Sequence, residues 1–456
     1  MLNNLILNTD SYKASHWLQY PKGTENVHSY IESRGGKYDH TLFFGLQMYL
    51  KEYLSKPITK EMIDEAEAFF KVHGEPFNRE GWEYILEKHN GYLPVKISAV
   101  PEGMMVPNLN VLVTVEATDP KCYWVVSYIE TSLLRAVWYP TTVSTISWTI
   151  KQIIKRYLEE TGDPAGISFK LHDFGARGVS SFESAGIGGA AHLVNFMGTD
   201  TITGALTAMK YYNTPVPAFS IPAAEHSTIT AFGKDGEVEA YRNMLRNFAK
   251  PGALVAVVSD SYDIFNAVDN LWGKALKDEV IRSEAIVVVR PDSGNPPEVV
   301  LKVAQLLDKN FGSQYNTKGF KVLNNVRIIQ GDGINEDSIR DILENLKRAG
   351  YSADNVAFGM GGALLQGMNR DTQKFAMKAS AIKVDGEWRD VFKDPVTDPG
   401  KKSKKGRLTL IRSNGGVKTV SREEGEGYEK ILKPVFENGK LLKDWTFEEV
   451  RANSEK

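Results

Sequence analysis

The chain has 456 residues, 42% of them hydrophobic and 25% charged, and a formal net charge of -2. That length exceeds one average domain and supports two with substantial cores, and near-neutral charge argues against general nucleic-acid binding, which requires a basic face. Cys122 is the single cysteine, so no intrachain disulfide can form and a reducing, cytoplasmic setting is expected.

The first residues, Met1-Leu2-Asn3-Asn4-Leu5, lack the basic and apolar regions of a signal peptide. Asn8-Thr9-Asp10-Ser11-Tyr12-Lys13 combines helix-start residues with an aromatic. Helical spacing follows over 41–54, 61–72 and 79–88. The period then changes to two, so that 95–100 and 111–115 read as strands around the turn Pro101-Glu102-Gly103. Two long helices are expected over 122–138 and 142–160, broken by Pro140. Glu130 and Arg135 make the first of these a buried helix rather than a membrane span.

From residue 166 to about 370, short apolar runs repeatedly empty into polar loops. Runs 169–171, 254–258 and 285–289 precede His172-Asp173-Phe174-Gly175, Ser259-Asp260-Ser261 and Arg290-Pro291-Asp292-Ser293-Gly294. Runs 326–329 and 356–358 precede Gln330-Gly331-Asp332-Gly333 and Gly359-Met360-Gly361-Gly362. Helical spacing covers 183–196, 263–277, 295–308 and 336–349. This alternation predicts an α/β barrel, which builds its active site at the carboxyl ends of its strands. An open doubly wound sheet is the alternative, with its loops converging at one switch point. The end of the chain returns to β, with hairpins about Ser413-Asn414-Gly415-Gly416 and Glu437-Asn438-Gly439 and a capping box from Thr446 to Glu449. The expected architecture is an α/β barrel over 146–375 beside a discontinuous β-rich α+β domain of 1–145 and 376–456.

Several of these loops carry chemistry. Arg290 and Asp292 at one strand end offer a guanidinium for phosphate and a carboxylate for a ribose hydroxyl or Mg²⁺, against the plainer reading of a surface salt bridge. Glycines after two consecutive late strands allow backbone N–H groups to approach a phosphate. No Walker-type loop is present, which favours a sugar phosphate or diphosphate over a P-loop nucleotide. His226, in Pro222-Ala223-Ala224-Glu225-His226-Ser227-Thr228, lacks the partners of a zinc site. With Glu225 adjacent and Asp260 at another strand end, it is a candidate nucleophile or base, with a structural histidine as the alternative. The basic run Lys401-Lys402-Ser403-Lys404-Lys405-Gly406-Arg407 reads first as a solvated loop and second as a phosphate clamp.

Longer ordered motifs point further. They are Thr9-Asp10-Ser11-Tyr12-Lys13, residues 170–175 with Arg177-Gly178-Val179-Ser180-Ser181, and Gly198-Thr199-Asp200-Thr201. Residues 222–230, Val258-Ser259-Asp260-Ser261-Tyr262-Asp263, residues 290–296 and Lys393-Asp394-Pro395 with the basic run complete the set. On these the chain resembles the type II phosphoribosyltransferase family over essentially its whole length, and within it the members that use nicotinamide. The resemblance implies a homodimer with shared sites that joins nicotinamide to phosphoribosyl diphosphate in NAD salvage, releasing diphosphate, with Mg²⁺ required. It also implies ATP hydrolysis through a phosphohistidine at His226, oriented by Asp260 with Glu225 nearby. Phe174 and the partner subunit's Tyr12 would sandwich the nicotinamide, and Asp200 would accept a hydrogen bond from its amide. Arg290 and Asp292 would hold the ribose and diphosphate region; Arg177, Gly331, Asp332, Gly361 and Gly362 would line the phosphoribosyl site. Arg34, Arg370 and Lys378 would come from the partner subunit to the diphosphate, and Lys393 and Lys401 would contact ATP or phosphate.

Three rivals remain at this point. A nicotinate-using member would share everything but the preference attributed to Asp200. A non-catalytic scaffold would have no need of His226, Asp260, Arg290 and Asp292. A sugar-phosphate isomerase or aldolase would need a Schiff-base lysine at a strand end, whereas Lys170 lies within its run.

Overall fold

The structure is a computed structural model that describes residues 3–397 and 402–456. The chain divides into two compact units: Met1–Thr145, Ala208–Thr214 and Met368–Lys456 form the first, Ile146–Thr207 and Pro215–Gly367 the second.

The first unit is built on a seven-stranded sheet. Its strands run Glu387–Asp390, Phe375–Val384, Thr24–Ser33, Val111–Ala117, Val95–Ala99, Lys433–Glu437 and Lys440–Leu441, every neighbouring pair antiparallel. The alternation read over 95–100 is seen as burial of Val95, Ile97 and Ala99 between half-exposed neighbours. Helices Lys60–His73 and Arg79–Lys88 form where the 3.6-residue period lies, each opened by a side-chain cap, Thr59 and Asn78. Trp82 of the second packs edge-on against Trp124 and Tyr128, at centroid distances of 4.8 and 5.0 Å. Both carboxy-terminal hairpins and the terminal helix Phe447–Ser454, with its capping box, also form.

Two expectations here need correction. The helical spacing over 41–54 begins as a strand, His40–Leu42, and turns helical only at Leu46. Gly45 makes that change of direction with φ of 104°. The buried Glu102 carboxylate then takes the free N–H groups of Gly45 and Gln47 at 3.1 and 2.6 Å, a cap delivered from across the unit. The proposed break at Pro140 also does not occur: one helix runs from Glu130 to Thr161 through the proline. A side chain at position 45 would lie 2.4 Å from Pro140 Cγ, so the missing Cβ of Gly45 leaves the ring room, and Thr142 donates to the Trp138 carbonyl at 2.6 Å. Tertiary packing there outweighs the local cost of proline. Among the described residues no helix is long and apolar enough to cross a membrane.

The second unit is the strand–helix alternation. Six parallel strands run in the order Gly198–Thr199, Leu171–Asp173, Val356–Met360, Val326–Gln330, Ile286–Arg290 and Leu254–Val258. The two edges are joined through an extended stretch: Phe219 bridges Gly198, and Ala223 bridges Ala256. Pro215, Pro217 and Pro222 supply no N–H donors, so this stretch closes the ring by single bridges instead of a regular strand. Ala256, Val288 and Ile329 pack with Phe174, Ile221 and Ala357 as a small interior cluster. The strand expected at 169–171 sits two residues later, because Pro164–Phe169 forms a 3₁₀ turn capped by Asp163. Between strands, the stretch 263–277 is largely a π-helix, Ala267–Ala275.

Candidate active site

Parallel pairing puts every strand's carboxyl end on the same rim of the second unit, and the singled-out residues follow from it. Asp173 closes its strand and Phe174 follows it, Asp200 and Asp260 come just after theirs, and Arg290 closes its own. Gly331, Asp332, Gly361 and Gly362 follow the next two.

His226 is the first residue of a short helix, His226–Thr230, for which Glu225 is the N-cap. Its Nε2 lies 2.9 Å from Asp260 Oδ1, and the other Asp260 oxygen accepts from Ser293 at 2.5 Å. The ring is 46% exposed and the carboxylate that orients it only 5%. That is the arrangement of an imidazole held from behind with its other face free. Nδ1 stands 4.0 Å from Asp292 Oδ2. Asp292 is itself clamped by Arg290 through both oxygens, at 3.2 and 2.8 Å. The guanidinium lies 5.6 Å over the Phe174 ring. Thus His226, Asp260, Asp292, Arg290 and Phe174 form one continuous chain of contacts. Glu225 turns away from it, its carboxylate bonded to the Ser227 hydroxyl.

Phe174 depends on glycines across the rim. A Cβ at Gly359 would fall 2.0 Å from its ring, and one at Gly331 would lie 3.3 Å from both the ring and Asp292. Asp200 has its exposed carboxylate engaged by Ser220 at 2.7 Å, and its backbone N–H bonds the Asp173 carbonyl at 2.9 Å. Asp173 is fully buried; its Oδ1 accepts from Gly175 at 2.7 Å, while Oδ2 has no partner in bonding geometry. Burial raises its carboxyl to about 6. His172 is pulled below its usual value by burial, and so is Lys170, to about 8. The Lys170 amine donates to the carbonyls of Ala353, Asp354 and Val356, a structural use.

Arg177 is exposed on the turn Ala176–Gly178, Asp332 is exposed, and no atom within 4 Å would meet a Cβ at Gly362. Tyr12, Arg34, Arg370, Lys378 and Lys393 all belong to the first unit. Tyr12 is 54% exposed, and Arg370 is exposed on a 3₁₀ turn. Lys393 pairs its backbone with Ser403, and Lys401 lies outside the described residues. Sequence reading passed over Ser220, Ser293, Asp173 and Gly359. Asp173, Ser293 and Gly359 stood inside quoted motifs, yet nothing local marks which loop residue will be buried or will reach another strand end.

The model of the nicotinate phosphoribosyltransferase (NAPRTase) family matches residues 169–440, and that of the nicotinamide phosphoribosyltransferase N-terminal domain matches residues 4–97. The chain belongs to the nicotinate phosphoribosyltransferase family and is a pentosyltransferase. Among its relatives, the nicotinamide phosphoribosyltransferase of Xanthomonas campestris pv. campestris (strain 8004) is 59% identical over 463 residues, covering 100% of this chain and 98% of that one. That of Acinetobacter baylyi is 34% identical, covering 97% and 95%. It is with the nicotinamide phosphoribosyltransferases that the chain stands. In fold it is similar to the nicotinate-nucleotide pyrophosphorylase of Pyrococcus furiosus, with a TM-score of 0.65 at 17% identity over 99% of this chain and 95% of that one. Human nicotinic acid phosphoribosyltransferase gives 0.55 at 15% identity, over 98% and 92%.

Proposed function

We propose that the protein transfers the phosphoribosyl group of 5-phosphoribosyl 1-diphosphate to nicotinamide, giving nicotinamide mononucleotide and diphosphate in NAD salvage. The observation that carries the choice of base is the exposed Asp200 carboxylate, engaged by Ser220 and tied through its backbone to Asp173, the residue before Phe174. A carboxylate accepts a hydrogen bond from an amide NH₂ and repels the carboxylate of nicotinate, and the Phe174 ring offers the flat heterocycle a stacking face. Loss of diphosphate from C1 develops positive charge on the ribose and negative charge on the leaving group. Asp292 suits the ribose side, and Arg290 and Arg177 suit the anionic side, with glycine N–H groups of 331, 361 and 362 near the phosphates.

ATP is read as a co-substrate. With Nε2 of His226 donating to Asp260, the lone pair on Nδ1 attacks the terminal phosphorus. The N–P bond forms as the P–O bond to ADP breaks, and water later carries the phosphoryl group to phosphate. Mg²⁺ belongs to the same reading. Two of the site's carboxylates are already engaged, Asp292 by Arg290 and Asp260 by His226 and Ser293, while Asp332 is exposed. The ion would be held by the diphosphate oxygens, with Asp332 the site carboxylate left to face it, and would supply charge neutralisation there. A homodimer in which the partner subunit's Tyr12, Arg34, Arg370 and Lys378 complete each site completes the proposal.

Three measurements test it. Purified protein given phosphoribosyl diphosphate and Mg²⁺ should form nicotinamide mononucleotide from nicotinamide, more in the presence of ATP, and little nicotinic acid mononucleotide when offered nicotinate instead. Asp200→Ser should lower the nicotinamide-to-nicotinate ratio of kcat/KM by roughly 10- to 100-fold; an unchanged ratio removes Asp200 from the argument. With ATP, the protein should gain an acid-labile phosphoryl group that His226→Ala lacks. Label retained in that variant would place the phosphorylation elsewhere.

A further inference from the structure

In the first unit, the antiparallel sheet gathers cations around one buried acid. The strand Thr24–Ser33 places Tyr30 and Glu32 two residues apart, hence on one face, and pairs Tyr30 with Lys378 across the ladder. Arg34 continues the same alternation. Glu32 is 2% exposed, and its two oxygens take different cations: Oε1 accepts from Arg34 Nε at 3.0 Å, and Oε2 from the Lys404 ammonium. Lys404 is fixed a second time, its backbone N–H donating to the Tyr30 hydroxyl at 2.8 Å. Arg34 Nη2 is buried with no acceptor in bonding geometry, although the Tyr30 hydroxyl feels its charge. Burial first, then the charges of Arg34, Lys393 and Lys13, lowers the Lys378 ammonium, with Glu130 opposing them. Lys13 is held by Glu130 at 2.5 Å.

A guanidinium nitrogen shielded from water and lacking an acceptor is costly to leave so, and an oxyanion satisfies it. We propose that Glu32 is a positioning residue that locks Arg34 and Lys404 into one oligophosphate-binding patch with Lys378, and that Lys404 is a further contact to the diphosphate group. This rests on the reading above in which Arg34 and Lys378 serve the diphosphate. Within the basic run, it gives a particular task to Lys404, which the run's composition alone does not single out.

The sign of the effect makes it testable. Were Glu32 only a stray negative charge, Glu32→Gln would tighten anion binding by Coulomb attraction. As a positioning residue, its loss frees two mutually repelling cations and weakens binding. Titration calorimetry of the full chain with inorganic diphosphate and Mg²⁺ should therefore show roughly tenfold weaker binding in both Glu32→Gln and Lys404→Met. KM for phosphoribosyl diphosphate should rise similarly while KM for nicotinamide stays within about twofold, and Glu32→Asp should recover part of the loss. Equal or tighter diphosphate binding in Glu32→Gln overturns the proposal, as does a parallel loss of nicotinamide affinity. Arg34→Met separates the two readings. If it binds diphosphate as the unaltered protein does, the underlying site assignment fails; if it alone is weakened, only the role of Glu32 and Lys404 fails.

Discussion

A carboxyl group enclosed by protein must find partners or stay protonated, and Asp173 does some of each. It accepts one N–H from Gly175, keeps Oδ2 unpartnered, and has its pKa raised to about 6 by burial, the Asp200 charge adding to the same direction. The folded state therefore holds the proton more tightly than the unfolded chain, whose value is about 4. Stability contributed by this proton is fully present below about pH 4 and is lost as pH rises through about 6. The loss amounts to about 3 kcal/mol. Asp173→Asn removes that term. Measured by denaturant unfolding, the variant's stability relative to the parent should improve by a few kcal/mol between pH 4 and pH 8; a pH-independent difference would falsify the assignment. This residue was invisible to sequence reasoning for a physical reason. By position it stands, like Asp260, directly after an apolar run, and nothing local separates the carboxylate that ends fully buried from the one that reaches His226.

At the scale of elements, Val356–Met360 shows how a strand shapes a site without presenting a polar side chain. Gly359 leaves the space that the Phe174 ring fills. Gly359→Ala should drive the ring out, raising KM for nicotinamide roughly three- to tenfold and costing about 1–3 kcal/mol of stability. Gly362→Ala, with nothing within 4 Å of the added carbon, should leave stability within about 0.5 kcal/mol. Wild-type-like nicotinamide KM in Gly359→Ala would detach the ring from base binding. The same contrast explains what was readable in the chain. Helices Lys60–His73, Arg79–Lys88, Pro296–Phe311 and Glu336–Arg348 carry both period and cap in their own residues. The turn into Leu46 was hidden because its cap is Glu102, and the helix through Pro140 because Gly45 makes room for the ring. The closing stretch at Phe219 and Ala223 carries no strand signal, since its prolines remove the donors that a ladder uses.

For the whole molecule, the division of labour between the two units sets the last expectation. The second unit contains the His226–Asp260 pair, the Arg290–Asp292 clamp, Phe174 and Asp200; the first contains Tyr12, Arg34, Lys378 and Lys404. If each site in a homodimer takes its barrel residues from one subunit and these first-unit residues from the partner, a defect in one unit and a defect in the other can complement. Arg34→Met and Arg290→Met homodimers should each be nearly inactive. After the two are mixed, dissociated and reassociated, about half the dimers are mixed, and each mixed dimer holds one site with both arginines intact and one with neither. Activity should return to about a quarter of the unaltered level. A mixture no more active than its parents would mean that each site draws both arginines from a single subunit. In that case subunit exchange would leave turnover unchanged, and the dependence on Arg34 would have to be satisfied within one chain.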